Sequence, residues 1–208
     1  MIRHSTLPHQ LFLLSHDPAK GRLDDDSHAV RGSLLCGAAV ADLCLSGWLR
    51  DRDGRAERTD QPATAPPDPF LARVLGDVDR PRRWFDLLER QWLSAEEAVE
   101  EQLVAAGVIT VERRRVLGLI PVKQIGVADP GSVRALRERV RDAAKQEAPI
   151  GPSVLAALAV DGNVSTVFGW RDLRGHKSGV RALNDRVDGA LPGLRSALIQ
   201  SIALRRAA

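Results

Sequence analysis

Apolar side chains recur every three or four positions over most of this 208-residue chain, a spacing that gathers them on one helical face. The leading segment "LPHQLFLLSHDPAKGRL" predicts a short helix from Pro8, a turn at Asp17-Pro18 and a reversal at Lys20-Gly21. Ser27 is placed to cap a helix over about 28–46, which Gly47 ends. Leu34, Leu35, Ala38, Ala39, Val40, Leu43 and Leu45 leave that helix almost no polar face. It should be the enclosed helix of a bundle. The pattern lapses in "DRDGRAERTDQPATAPPDP", residues 51–69, which holds four of the twelve prolines. A mobile surface loop inside a single domain spanning 1–208 is expected there.

Helical spacing returns in "PFLARVLGDV" and "RPRRWFDLLERQWL". Ser94 and Glu97 read as a capping box that opens a further helix, "AEEAVEEQLVAAG", with Gly107 as its stop. In "VITVERRRVLGLIPVKQIGV" β-branched residues flank a charged turn, so a hairpin is predicted with Arg113, Arg114 and Arg115 at its tip. Helices over 131–147 and 152–161, and a pair over about 178–206 broken at Pro192, complete a mostly α chain.

Composition changes this picture little: 44% hydrophobic and 27% charged residues are ordinary for a globular domain that needs no staples. Cys36 and Cys44 lie eight apart, two turns along one helix. They cannot bridge there and read as small buried hydrophobes of a reduced cytosol. "LFLL" at 11–14 stops at Ser15-His16-Asp17, and Asp42 interrupts the longest apolar run, residues 33–49. A cytoplasmic protein is expected, touching a membrane only peripherally, at its inner face. A net charge of +3 is too mild for a nucleic-acid partner.

Three constellations carry candidate chemistry. Arg113 to Arg115, with Lys123 and the neighbouring Ile120 and Ile125, could attract an anionic bilayer, each base contributing about 1 kcal/mol. The same residues could simply solvate a turn and guard a strand edge. The clusters Arg80 to Trp84 and "WRDLRGHK", 170–177, add bases beside aromatics, although Trp84 and Trp92 share a helical face and should pack inward. Asp24, Asp25, Asp26 and His28 could hold Mg²⁺ for a diphosphate, with Asn184, Asp185 and Asp188 as a second set. That pairing resembles class I terpene synthases, but the spacing departs from theirs and 4% aromatic content poorly suits a carbocation pocket. His4, His9, His16, His28 and His176 lack metal-finger spacing, and no nucleophile elbow or phosphate-cradling loop occurs. No catalytic residue, metal or cofactor is predicted.

"LLCGAAVADLCLSGWLRD", "EEQLVAAGVITVERRRVLGLIP" and the leading "LPHQLFLLSHDPAKGRL" resemble, in order, the Golgi phosphoprotein 3 family and its actinobacterial members, from Leu7 to about Leu204. The resemblance implies a single-domain helical bundle with surrounding amphipathic helices and one projecting β-hairpin. In eukaryotic relatives a basic pocket holds the head group of phosphatidylinositol 4-phosphate, the hairpin supports membrane contact and oligomerisation, and the protein serves as an adaptor for Golgi glycosyltransferases. The family's arginine-glycine pair falls on Arg31-Gly32. Its upstream tryptophan falls on Arg22, and its second arginine pair on Leu93 and Glu96. Replacing two phosphate donors by an apolar and an acidic group weakens the head-group interaction by on the order of several kcal/mol.

The expectation is therefore a non-catalytic, peripheral anionic-lipid binding protein, a scaffold or adaptor that holds a phosphoinositide-like head group at Arg31 and Arg22. Homo-oligomerisation would use the hairpin at Arg113, Arg114 and Arg115. The alternative is an enzyme of specialised metabolism that turns the same pocket to a small phosphorylated or apolar substrate, with Glu96, Asp24, Asp25, Asp26 and His28 around it.

Overall fold

The structure, a computed structural model, describes residues 5–60, 64–116, 120–169, 172 and 177–207, with the backbone alone at 114–116 and 120–122. Among the described residues are eight α-helices and only small sheets, a mostly α single-domain fold.

Helix α1 (Leu7–Leu14) starts on Pro8, whose fixed φ suits a first turn. The Leu7 amide donates to Asp42 Oδ2 at 2.7 Å. Asp42, the one charge in the long apolar run, thus serves an orphan helix N–H; burial pushes its carboxyl up while that amide pulls it down. Asp42 belongs to α2 (Arg31–Leu45), which follows a single 3₁₀ turn at His28–Val30. Five helices pack around α2: α1, α3 (Pro69–Gly76), α4 (Trp84–Ala105), α6 (Ile150–Asp161) and α8 (Leu194–Ala207). His28–Leu45 is long and apolar enough to cross a membrane, with mean hydropathy 1.3, but 67% of it is buried within the fold. Complete burial of Leu34, Leu35 and Leu43 contributes roughly 1.5–3 kcal/mol each. Gly32 sets the closest crossing, because a Cβ there would lie 2.0 Å from the Trp92 carbonyl oxygen of α4.

Helix α5 (Pro130–Ala143) is amphipathic, burying Val133, Leu136, Val140 and Ala143, and α7 (Lys177–Ala190) buries only Leu183 and Val187. Both pack on α6 and form an outer layer. The short strands β1 (His16–Asp17) and β2 (Arg22–Leu23) form one ladder. A second joins β3 (Leu49–Arg52), β4 (Arg55–Arg58) and β5 (Arg82–Arg83). The hairpin of β6 (Ile109–Val116) and β7 (Ile120–Val127) pairs from Ile109 with Val127 to Val116 with Ile120.

Three expectations are corrected. The stretch 51–69 is not all loop: Asp53 and Gly54 both have positive φ, 53° and 75°, giving a two-residue turn whose twist suits the β3–β4 hairpin. Ser94 and Glu97 open nothing, because α4 runs unbroken from Trp84 to Ala105, and the Ser94 hydroxyl bonds back to the Gln91 carbonyl at 3.3 Å. Arg113, Arg114 and Arg115 are not at the turn but within β6, opposite Lys123, Val122 and Pro121. The side chains of Arg114 and Arg115 lie outside the described residues, as do His4, His176 and most of "WRDLRGHK". Trp84 is buried and donates from Nε1 to Asp51 Oδ1 at 3.0 Å, while Trp92 is half-buried under the Arg205 guanidinium.

Candidate functional site

The reversal predicted at Lys20-Gly21 brings β2 back antiparallel to β1, with Gly21 at φ +62°. That small ladder is docked on the large hairpin. The Ile125 amide donates to the Gly21 carbonyl at 2.6 Å, and His16 Nε2 lies 3.0 Å from the Ile125 carbonyl oxygen. Past Leu23 the acidic turn folds on its own carboxylate: Asp24 accepts from the Ser27 amide at 2.9 Å and the Ser27 hydroxyl at 2.8 Å. The chain then enters α2 at Arg31, with α4 alongside.

These elements enclose a pocket of about 390 Å³ that brings Arg22, Asp24, Asp25, His28, Arg31 and Glu96 together with Leu23, Lys123 and Ile125. Asp26 is exposed and does not line it. The two arginines share the pocket but differ in state. Arg31 is among the largest fully enclosed side chains, at 2% exposure. Its Nη1 donates to Glu96 Oε2 at 3.0 Å, its Nη2 donates to the Asp24 carbonyl, and the Asp24 carboxylate stands 3.7 Å away. Its Nε is buried without a partner. Arg22 lies at the surface, 2.9 Å from Asp25 Oδ2, with Lys20 3.1 Å from the same oxygen. Lys20, and then Arg22, hold the exposed Asp25 carboxyl below its usual range. Lys123 reaches from β7 to Glu100 on α4.

Three cations, Arg22, Arg31 and Lys123, face three carboxylates, Asp24, Asp25 and Glu96. Every base already has an acid, so the site is locally self-neutralised. A phosphate could reach Arg31 only by displacing Glu96, which is one-third exposed and therefore free to swing outward. Leu93, one helical turn before Glu96 on the same face of α4, is 79% exposed beside this site.

The Mg²⁺ alternative finds little support, since Asp24 is engaged by Ser27 and Arg31, and Asp188 stands 3.5 Å from Arg195. Among the described residues no group of three or more His, Cys, Asp and Glu side chains could hold a metal ion. Burial pushes both thiols up, that of Cys44 to about 12, so neither is a nucleophile at neutral pH. Sequence reasoning did not connect Lys20 or Glu100 with the site. Lys20 follows from the β1–β2 reversal, whereas Glu100 meets Lys123 only through the docking of two distant elements.

A family model described as Golgi phosphoprotein 3 (GPP34) matches residues 7–200. No curated protein matches the chain in sequence.

Proposed function

Because the chain belongs to the Golgi phosphoprotein 3 family, we propose that it is a non-catalytic peripheral membrane protein that binds anionic lipid head groups through the Arg31 pocket. Membership suggests a lipid-binding or adaptor role, and the local chemistry supports the lipid reading. The observation that carries it is Leu93: a leucine 79% exposed stands one helical turn before Glu96, whose pocket is lined by Arg22 and Lys123. In water such a side chain gains nothing. Against a bilayer it can insert while Arg22 and Lys123 exchange their carboxylate partners for lipid phosphates. Leu93 then does the job that an aromatic at position 22 would otherwise do.

The pocket itself favours a head group with a single phosphate. Arg31 offers Nη1 once Glu96 turns away, a single charge-assisted donor, since Nη2 stays on the Asp24 carbonyl. A multiply charged head group would meet Asp24, Asp25 and Glu96. Binding at the inner face of a membrane, scaffolding of a partner protein and self-association through β6–β7 complete the proposal.

Sedimentation with vesicles of neutral lipid, of anionic lipid, and of anionic lipid containing phosphatidylinositol 4-phosphate tests it, each at low and high salt. The parent should bind anionic vesicles, less at high salt, and Leu93→Ser and Arg22→Ala should each weaken binding severalfold. Equal sedimentation of all three proteins, or none with any vesicle, would overturn the reading. Gel filtration of a variant lacking 112–116 reports separately on self-association.

A further inference from the structure

A second cavity, of about 460 Å³, opens at the far end of α4, between the base of the β6–β7 hairpin and the starts of α1 and α5. Its wall is apolar at Leu103, Val108, Val127 and Val133, and its polar groups include Ser5 and His9. This volume lies in the range of small-molecule sites, which combine apolar walls with a few oriented polar groups. The polar end is built from the inside outward.

Asp68 caps α3 by accepting from the Leu71 amide at 2.9 Å. The neighbouring Phe70 amide needs an acceptor, and the Gln102 side-chain oxygen provides it at 2.8 Å. With that oxygen fixed, the Gln102 amide nitrogen faces the other way, donating to Asp68 Oδ2 at 3.2 Å and to His9 Nε2 at 2.7 Å. Asp68 itself stands 3.4 Å from Nε2, and the shared amide group serves both acceptors. His9 Nε2 is therefore an acceptor, which puts the proton on Nδ1. No described residue accepts from Nδ1, and His9 lines the cavity. The Ser5 hydroxyl on the same wall is buried without a partner. Two donors are thus held at one end of an apolar cleft with no acceptor for either among the described residues.

Charge selects among the ligands that could accept from them. Asp129 also lines the cleft, its carboxylate taken up by the Ser132 amide at 3.0 Å and the Ser132 hydroxyl at 2.5 Å. Among the described residues no lysine or arginine lines the cleft. An anionic head would be repelled, and a cationic head brings no acceptor. We propose that this cleft binds a small uncharged molecule with an apolar body and one carbonyl or hydroxyl oxygen, the oxygen accepting from His9 Nδ1–H and Ser5 Oγ–H. The site is separate from the Arg31 pocket and does not depend on membrane binding.

The test is an NMR titration of the full chain with 2-heptanone, heptanoate and heptylammonium, following the methyl signals of Val108, Val127 and Val133. The ketone should saturate those shifts, with heptanoate and heptylammonium at least tenfold weaker. His9→Phe, which keeps an aromatic ring and loses the donor, should weaken the ketone by up to about tenfold, the worth of one hydrogen bond. Ala106 lines the cleft at the exposed end of α4, so Ala106→Trp should fill the cleft and abolish binding while the chain stays folded. The ¹⁵N shifts of His9 should show a protonated Nδ1 and an accepting Nε2. Absence of saturation by the ketone, equal binding of heptanoate, indifference to Ala106→Trp or a protonated Nε2 would each overturn the proposal.

Discussion

Two polar constellations sit against one helix, six residues apart on α4, and solve opposite problems. At Glu96 a buried guanidinium is closed off by carboxylates until no charge remains to spend. At Gln102 a neutral amide orients an imidazole and leaves its outward donor open. A buried charge must be matched where it stands, because low dielectric makes an unmatched one very costly. A neutral donor carries a much smaller penalty and can be left waiting. Enclosure alone therefore does not mark an open binding group; one that its neighbours have satisfied, as at Arg31, can bind only by exchanging a resident partner.

The largest disturbance should come from the crossing of α2 on α4, the helix against which both sites are built. Gly32→Ala would put a methyl 2.0 Å from the Trp92 carbonyl, a backbone atom that can move only with α4. We expect a loss of about 3 kcal/mol or more in urea unfolding, with both sites displaced together. Next, Arg31→Met removes the cation and strands two acids, at a cost of about 3 kcal/mol. Adding Glu96→Gln to it should recover part of that loss. Gln102→Leu, in the neutral network, should cost only about 1–3 kcal/mol by the same measurement. If Gln102→Leu proves the more damaging, the contrast between the two sites fails.

A pH series probes the joint between the pocket and the hairpin. Burial holds the His16 imidazole below its ordinary 6.5, outweighing its bond to the Ile125 carbonyl, with Arg137 pushing the same way and Asp17 opposing. The unfolded chain then binds the proton more readily, so stability rises with pH in this window. The contribution is complete above about 6.5 and is lost as pH falls through the lower folded value. The urea midpoint should drop on acidification, and His16→Asn should flatten that drop. Smallest of all, Arg113→Ala is exposed on β6 and should change stability by less than about 0.5 kcal/mol, while reducing sedimentation with anionic vesicles.

Much of the fold was legible because its signals are local. The near-absence of polar positions in 34–45 marked α2 as the enclosed helix, and the shift to β-branched residues after Gly107 marked β6 and β7. The Asp53-Gly54 turn was equally local and was masked by the prolines that follow it. Ser94 misled because a capping box is a pattern of four residues, whereas helix continuity depends on what α4 packs against. The arginine run was placed at the wrong height because strand register cannot be counted from one strand alone. In the Arg31 pocket the candidates came to hand, but not their mutual cancellation: Glu96 lies 65 residues from Arg31. The His9 relay escaped altogether, since Gln102 is 93 residues away and glutamines carry no motif.

The carboxylate on Arg31 has a kinetic and thermodynamic meaning beyond its geometry. Glu96 is a tethered competitor, present beside the guanidinium at an effective concentration that no free anion in solution approaches. Inorganic phosphate or a stray carboxylate, with one contact to offer, loses that contest. Only a visitor that brings further contacts of its own, as a head group does when its tails lie in a bilayer, can displace the resident and stay. On its departure Glu96 refills the seat, so the buried guanidinium is never left without a partner.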